Sequence, residues 1–335
     1  MAIAAQRQAS RSHIVTVGGG KGGVGKSIIA LNLAAALAQD GHRVVIADMD
    51  LGAANQHLLL GLLNPATGLQ ALLDKSAEQA KSCLSETRVP GLRLLAGTIG
   101  VLGDANIAYA QKISLLRKLR SLEADIVVVD VGAGMGYNAL DFFDLGSRKL
   151  LVTTPQLTAL HDAYAFLKSA VLRLLRHKAE DAVEAALLEP ATHSASAEKV
   201  VEILARLRES RPELADKVFA EIENFGACMV GNQVVAEAHA GVFEAVAQTM
   251  HEYLGVTVPV LGWLRSSEAI HESVNIRRPL ALDPHSKDAA AFRDLARNLL
   301  ASLRLEEPDA LGAVEDASTQ QAQSTRTATR RKTLI

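Results

Sequence analysis

Residues 20–27 (GKGGVGKS) constrain the fold of this chain more than any other segment. They fit the pattern G-x-x-x-x-G-K-[ST] of a phosphate-binding loop. An apolar strand candidate, 13–17 (HIVTV), precedes them, and an Ala- and Leu-rich helix candidate, 28–39, follows. In that context backbone N–H groups and a helix N-terminus converge on phosphate, and glycines let the backbone approach the oxygens. The sequence therefore predicts a nucleotide site at this strand-to-helix turn.

Two side chains of this loop have separate predicted tasks. Lys26 is expected to contact the β- and γ-phosphates of ATP, and the Ser27 hydroxyl is expected to ligate Mg²⁺. ATP and Mg²⁺ are therefore the predicted cofactors. The loop residues predicted to contact the nucleotide are Gly20, Lys21, Gly22, Gly23, Val24, Gly25, Lys26, Ser27 and Ile28.

Short apolar runs alternate with helical patterns along most of the chain. Continuous apolar strands separated by helices are typical of a parallel sheet that is covered on both faces. We therefore predict an α/β fold for residues 13–305: a doubly wound, mostly parallel sheet with helices on both faces. The strand candidates are 13–17, 43–48, 92–97, 125–130, 149–154, 225–231 and 256–263.

Three regions depart from this alternation. Residues 167–222 hold no convincing strand, and they are predicted to form a helical insertion whose first helix covers 167–177; a long crossover between two strands is the alternative. The segments 1–12 and 306–335 are polar and cannot bury enough apolar surface to fold alone. Both are predicted to be disordered tails.

Composition indicates the setting in which the site works. The chain has 335 residues, 49% of them hydrophobic, and its formal net charge of −2 gives no global reason to expect nucleic acid as a partner. Cys83 and Cys228 form no CxxC pair, which fits a reducing compartment. Residues 1–12 contain no apolar segment of the kind found in signal peptides. We therefore expect a cytoplasmic protein.

Carboxylates follow two of the strand candidates. Asp48 and Asp50 stand at the end of 43–48, and Asp130 ends 125–130. The carboxyl ends of parallel strands form the edge at which doubly wound sheets bind ligands. Next to a phosphate-binding loop, Asp130 is predicted to hold Mg²⁺, directly or through water. For Asp48 and Asp50, a helix cap or a loop carboxylate is the alternative to a role in the site.

A second lysine inside the loop, Lys21, carries a family resemblance. With it, the stretch resembles the deviant Walker A box, KGGVGK(S/T), of the MinD/ParA family of ATPases. The resemblance implies that ATP closes a homodimer and that Lys21 reaches the nucleotide of the partner subunit, in a role comparable to an arginine finger. From residue chemistry alone, Lys21 could equally be a solvated loop lysine.

The resemblance extends to later segments and covers 13–305. The pattern DxDLG…N at 48–55 resembles the family's switch I, which implies that Asp50 orients the attacking water and Asp48 supports the Mg²⁺ shell. TTPQ at 153–156 resembles the (T/N)P(E/Q) element and places Pro155 at the nucleotide. Asn232 resembles the strand-end asparagine that binds the adenine edge; a turn residue is the alternative. The predicted catalytic residues are Lys21, Lys26, Asp50 and Asp130.

The implied function is an ATP-hydrolysing dimeric switch for spatial positioning in a bacterial cell. Within the family, the chain is most similar to the flagellar-number and site-determining members of the FlhG/FleN kind. The resemblance implies slow turnover that a protein partner stimulates. Peripheral attachment at a membrane or cell pole is a further expectation, because the end of the chain carries a basic cluster that anionic lipid would attract.

Two other functions remain open. ParA-like segregation of DNA or cargo would need a basic surface patch, for which a solvated helix end is the alternative explanation. An interaction module that binds nucleotide without turnover is the second, although the catalytic set predicted above argues against it. The candidate basic patch comprises Arg173, Arg176, His177 and Lys178.

Overall fold

A computed structural model describes residues 12–65, 68–74, 77–97, 109–178 and 199–304. The chain divides into two units, 1–296 and 297–335. The first unit contains the whole sheet described below. Of the second unit, residues 297–304 are described, and they form the end of a helix.

The described residues form a single eight-stranded sheet. The strands are β1 (His13–Gly18), β2 (Val44–Met49), β3 (Ser85–Glu86), β4 (Leu92–Leu95), β5 (Ile126–Val131), β6 (Arg148–Thr153), β7 (Ala227–Val234) and β8 (Val260–Arg265). Their spatial order is β3-β4-β2-β5-β1-β6-β7-β8. All neighbours are parallel except β3 and β4, which are antiparallel. The predicted mostly parallel sheet is confirmed, and the short edge strand β3 is an addition to it.

Both faces of the sheet are covered. Every residue of β2, β5 and β6 is buried, and successive side chains of a strand point to opposite faces, so neither face is open to solvent along these strands. The helices of the described residues are α1 (Lys26–Gln39), α2 (Gln56–Leu59), α3 (Gly68–Asp74), α4 (Tyr109–Arg120), α5 (Tyr137–Asp144), α6 (Leu157–Lys178), α7 (Val200–Ser210), α8 (Pro212–Glu223), α9 (Gly241–Leu254), α10 (Glu268–Asn275) and α11 (Lys287–Arg304).

The helical region between β6 and β7 begins ten residues earlier than the first predicted helix, which covered 167–177. Helix α6 starts at Leu157, directly after the turn that ends β6. Its first turns expose Leu157, Thr158 and His161, so a leucine on the exposed side interrupts the apolar period there. The predicted start of the insertion, at 167, therefore lies within a continuous crossover helix. Residues 179–198 of the predicted insertion lie outside the described part of the chain.

Strand β8 begins later than predicted because of a proline. The sequence placed this strand at 256–263, but the ladder starts at Val260. Pro259 has no N–H to donate, and it takes part only through its carbonyl, which accepts from the backbone N–H of Met229 at 2.9 Å.

The folded part of the chain includes Ser12. We predicted this residue to lie in the N-terminal tail, yet it is buried and its hydroxyl lies 3.0 Å from the carbonyl of Leu122 and 2.7 Å from that of Ala124. The rest of the two predicted tails lies outside the described residues. None of the helices in the described ranges has the length and apolar character needed to span a bilayer.

A buried ion cluster joins three helices beside the sheet. Asp141 on α5 accepts hydrogen bonds from Lys112 on α4, at 2.6 Å, and from Arg173 and His177 on α6. The side chains of Asp141 and Lys112 are each 1% exposed. Burial alone would raise the pKa of Asp141, but hydrogen bonds from His177, Arg173 and Lys112 hold this pKa well below its usual range. The cluster fixes α5, which follows the loop after β5, against α6.

Asp141→Asn is expected to lower the free energy of unfolding by about 3–5 kcal/mol, because the charge of Lys112 would stay buried without its counter-ion. Urea unfolding followed by circular dichroism measures the loss. Glu123→Gln is the control, since it removes one partner of the exposed Lys81–Glu123 ion pair, and it should cost far less. Equal losses in the two variants would contradict the structural role of the cluster.

Candidate nucleotide and magnesium site

The loop between β1 and α1 uses glycines where other residues would not fit. Gly25 has a φ of +94°, and a side chain there would overlap the amide of Asn232. A side chain at Gly20 would overlap the backbone carbonyl of Asp162. Gly22 and Gly23 form the exposed rim of the loop, with Val24 buried beneath them. The predicted loop residues therefore form one compact turn.

The first turn of α1 directs its N–H groups toward this loop. The helix begins at Lys26, continues through Ser27 and Ile28, and has no side-chain cap. Its first N–H groups are therefore available to an anion such as phosphate, which the helix dipole also favours.

Lys26 places its ammonium group inside the loop. The residue is 7% exposed, and Nζ donates to the carbonyl of Lys21 at 3.3 Å. Burial lowers the pKa of Lys26, while the negative charges of Asp130 and Asp50 oppose this effect. The loop thus holds an ammonium group near enough for the charges of Asp130 and Asp50 to act on its pKa.

Two buried carboxylates lie side by side on neighbouring strands. Asp48 on β2 is the register partner of Asp130 on β5, and both are almost fully buried. Burial and the nearby charge of Asp48 raise the pKa of Asp130 to about 7. Burial raises the pKa of Asp48 to about 6, although three backbone N–H groups oppose it. Each carboxylate therefore favours a nearby cation.

The residues of this site fit Mg²⁺. The side chain of Ser27 helps to lower the pKa of Asp130, and Oδ1 of Asp130 is buried without a hydrogen-bond partner in the described structure. Mg²⁺ prefers oxygen ligands of this type. Ser27 and Asp130 are the residues that would hold the ion, which supplies positive charge to the phosphates when bound. The structure brings the three predicted metal residues together, and their metal roles remain predictions.

Asp48 also organises the segment that follows β2. Its Oδ1 accepts from the backbone N–H of Asp50 at 3.2 Å, and its Oδ2 accepts from those of Asn55 and Gln56 at 2.8 and 2.9 Å. Both oxygens therefore bind backbone N–H groups of this chain. The anchoring role was not predicted, and it explains why an aspartate is buried at this strand end.

Asp50 lies where this segment meets the loop after β5. Its Oδ1 accepts from the backbone N–H of Ala53 at 3.1 Å. A side chain at Gly132 would come within 3.2 Å of the same oxygen, so glycine leaves room for Asp50 in the loop after Asp130. This location is compatible with the predicted orientation of the attacking water.

Lys21 lies on the outer side of the loop. Its Nζ donates to Oγ1 of Thr158, in the first turn of α6, at 2.9 Å. The ammonium group is therefore held within its own chain, near the surface. Its predicted action on the partner subunit's nucleotide remains a prediction.

The end of β7 contacts the back of the loop. Asn232 donates through Nδ2 to the carbonyl of Val24 at 2.8 Å, and Gln233 donates through Nε2 to the carbonyl of Gly23 at 3.0 Å. Asn232 thus supports the loop, and its predicted contact with adenine remains a prediction. Pro155 lies half-buried in the turn between β6 and α6, and its role at the nucleotide also remains a prediction.

The loop, the paired carboxylates and the parallel sheet together match a known family. The profile of the CobQ/CobB/MinD/ParA nucleotide binding domain matches residues 15–280, which is most of the chain. The chain belongs to the CobQ/CobB/MinD/ParA family. The predicted resemblance to MinD/ParA ATPases is confirmed.

Two curated bacterial proteins are similar to this chain over part of their length. Antiactivator FleN of Pseudomonas aeruginosa is 34% identical over 158 residues, covering 47% of this chain and 55% of FleN. The flagellum site-determining protein YlxH of Helicobacter pylori is 35% identical over 162 residues, covering 47% of this chain and 53% of YlxH. The chain spans about half the length of the curated relatives it matches.

A solved MinD structure has the same fold. The septum site-determining protein MinD from Pyrococcus horikoshii, complexed with Mg-ADP, aligns with a TM-score of 0.59 and 20% identity. The alignment covers 87% of this chain and 98% of that protein. The MinD/ParA fold is therefore shared over nearly the whole of the described residues.

The basic run on α6 does not form the continuous surface patch considered for ParA-like DNA binding. Arg173 and His177 are directed to the buried Asp141, because that carboxylate needs counter-charge. Arg176 is exposed, and the side chain of Lys178 lies outside the described structure. Two of the four residues of the candidate basic patch are thus engaged within the protein.

Three polar residues of the site were missed in the sequence. Gln56, Thr158 and Gln233 all contact predicted site residues, through Asp130, Lys21 and the loop carbonyls. None belongs to a pattern with a fixed spacing to the loop. For Gln56, the signal available was its place immediately after the DxDLG…N pattern.

Gly25→Ala is expected to lower the free energy of unfolding of the nucleotide-free protein by about 1–3 kcal/mol, because alanine at φ +94° is strained and would displace Asn232. Thermal and urea unfolding measure the change. Gly22→Ala is the matched control, since no atom lies within 4 Å of the position that its Cβ would take. A loss in the control equal to that of Gly25→Ala would show that the loop tolerates no side chain at all.

Proposed function

We propose that this chain is a magnesium-dependent ATPase that acts as a dimeric switch for site selection or number control in a bacterial cell. The observation that carries the proposal is a phosphate loop with two lysines in different settings. Lys26 is buried next to Asp130 and Asp50, whereas Lys21 lies near the surface on a single hydrogen bond. The setting of Lys26 suits phosphate binding within its own chain, and the setting of Lys21 suits a contact with the nucleotide that the partner subunit binds.

The residues divide the chemistry of ATP hydrolysis between them. The first turn of α1 and Lys26 bind and orient the phosphates, because both present positive charge to the same loop. Asp50 orients the attacking water, since its carboxylate lies where the segment after β2 meets the loop after β5. Ser27 and Asp130 hold the metal, which neutralises developing charge when bound. Positioning and electrostatic stabilisation are what phosphoryl transfer requires of a protein.

ATP is proposed to close a homodimer over the carboxyl edge of the sheet. Several large apolar side chains are exposed in segments that follow strand ends at this edge: Leu157 (82%), Val235 (78%), Tyr137 (56%) and Met135 (49%). Exposed apolar side chains near one functional edge favour a protein interface. In the dimer, Lys21 leaves Thr158 and contacts the partner subunit's nucleotide.

The names of the relatives support the choice of process. FleN is an antiactivator, and YlxH and MinD are site-determining proteins. We infer a switch of the same kind here, with a protein partner that stimulates turnover and a membrane surface or cell pole as its place of action. DNA segregation is the less favoured alternative, because Arg173 and His177 are engaged with Asp141.

Lys26→Ala should reduce Mg²⁺-dependent ATP turnover by about 10²–10³-fold and weaken ADP binding, because it removes the buried cation of the loop. Lys21→Ala should abolish turnover and ATP-dependent dimerisation but leave ADP binding intact. Phosphate release, ADP calorimetry and light scattering measure the three properties. Lys81→Ala, on an exposed lysine, is the control. Unchanged turnover in Lys26→Ala would refute the proposed ATPase.

Asp50→Ala should accumulate as an ATP-bound dimer, because it removes the group proposed to orient the attacking water. Sedimentation with anionic liposomes, and separately with DNA, then tests what the dimer binds. Pelleting with liposomes only in ATP supports membrane positioning. ATP-dependent pelleting with DNA instead would favour the segregation alternative, and pelleting with neither would leave a protein surface as the target.

A further inference from the structure

Gln56 is fully buried at the centre of the site, although no predicted motif includes it. It is the first residue of α2, directly after the segment that follows β2. Its Nε2 donates to Oδ2 of Asp130 at 2.8 Å and to the carbonyl of Ser27 at 3.0 Å. Its backbone N–H donates to Oδ2 of Asp48 at 2.9 Å. One residue therefore joins both buried carboxylates and the first turn of α1.

The hydrogen bond from Gln56 distinguishes the two oxygens of Asp130. Oδ2 accepts from the amide of Gln56, whereas Oδ1 is buried without a hydrogen-bond partner in the described structure. A buried acceptor without a partner is unfavourable, because it has lost its hydrogen bonds to water and gained none in return. The amide thus holds the carboxylate so that the unpartnered oxygen is the one left for a cation.

The amide oxygen of Gln56 is a second unpartnered acceptor. Oε1 is buried and has no hydrogen-bond partner among the described residues, and the same holds for Oδ1 of the neighbouring Asn55. Packing alone would place an apolar side chain in a fully buried position, since a polar group that leaves an acceptor unbonded is costly there. Buried acceptors beside a carboxylate pair are suited to the water molecules that Mg²⁺ keeps in its shell.

We propose that Gln56 is a positioning residue for the magnesium site. Its Nε2 fixes the orientation of Asp130, its Oε1 would accept from water that Mg²⁺ keeps when bound, and its backbone joins the site to the segment anchored on Asp48. This inference rests on the proposed function of the site, and it adds a residue that acts through Asp130. Outer-shell partners of metal ligands commonly change metal affinity by about 10–100-fold.

The test uses the full chain and measures ADP binding by calorimetry in saturating Mg²⁺ and in EDTA, together with a Mg²⁺ titration at fixed ADP. Gln56→Met keeps the length of the side chain but removes donor and acceptor. We expect it to weaken the apparent Mg²⁺ affinity about 10–100-fold and to change ADP binding in EDTA less than about twofold. Gln70→Met is the matched control, because Gln70 also has a buried unpartnered amide oxygen but lies on α3.

A second variant covers the case in which Gln56→Met does not fold. Gln56→Glu has the same length but loses the amide donor and adds a third carboxylate next to Asp130. Without metal, we expect this variant to melt at a lower temperature than the unaltered protein. When Mg²⁺ and ADP are added, its melting temperature should rise by more than that of the unaltered protein, because the cation offsets the added charge. An equal or smaller rise in melting temperature would overturn the inference.

The outcomes separate this inference from the function on which it rests. An unaltered protein that binds no ADP would overturn both. If the unaltered protein shows Mg²⁺-dependent ADP binding and Gln56→Met has the same Mg²⁺ affinity, the positioning role alone is overturned. A similar loss in Gln70→Met would also overturn it, because the effect would then belong to any buried amide.

Discussion

Repulsion between two carboxylates buried on adjacent strands is the interaction on which the site depends. Asp48 and Asp130 are register partners inside an otherwise apolar sheet, where each charge has lost most of its hydration. Backbone N–H groups neutralise part of the charge on Asp48, and Ser27, Gln56 and Lys26 do so for Asp130. The phosphate loop and the segment after β2 both supply groups that offset this repulsion, and the two segments therefore meet at the carboxylate pair. A divalent cation held by these residues would complete this balance.

Features set by local chemistry could be predicted from the sequence. The loop at 20–27 requires glycine in its backbone, and the strand runs ending in Asp48 and Asp130 are apolar for their whole length because both sheet faces are covered. Short-range pattern thus placed the glycine loop and the two carboxylates at one edge of the sheet, and the structure has them there. Family resemblance added the distinction between Lys21 and Lys26, which residue chemistry alone left open.

Features set by distant partners could not be predicted in this way. The basic residues Arg173 and His177 have the sequence pattern of surface charges, yet their counter-ion is the buried Asp141, which lies 32 and 36 residues earlier. The start of α6 was hidden because its first turns expose Leu157 where a periodic pattern expects a polar residue. Gln56 was missed because a glutamine carries no local signal of burial. Each case depends on three-dimensional neighbours, which single-sequence periodicity does not contain.

The amide contact between Asn232 and the loop has a consequence for the order in which the protein matures. The two bonded residues are 208 positions apart in the chain, so the loop is synthesised long before the strand that supports it. At synthesis rates of about 5–20 residues per second, this interval lasts roughly 10–40 seconds. During that time the nascent chain carries the full phosphate motif without its rear support. The loop therefore gains this support late, when most of the polypeptide has been synthesised.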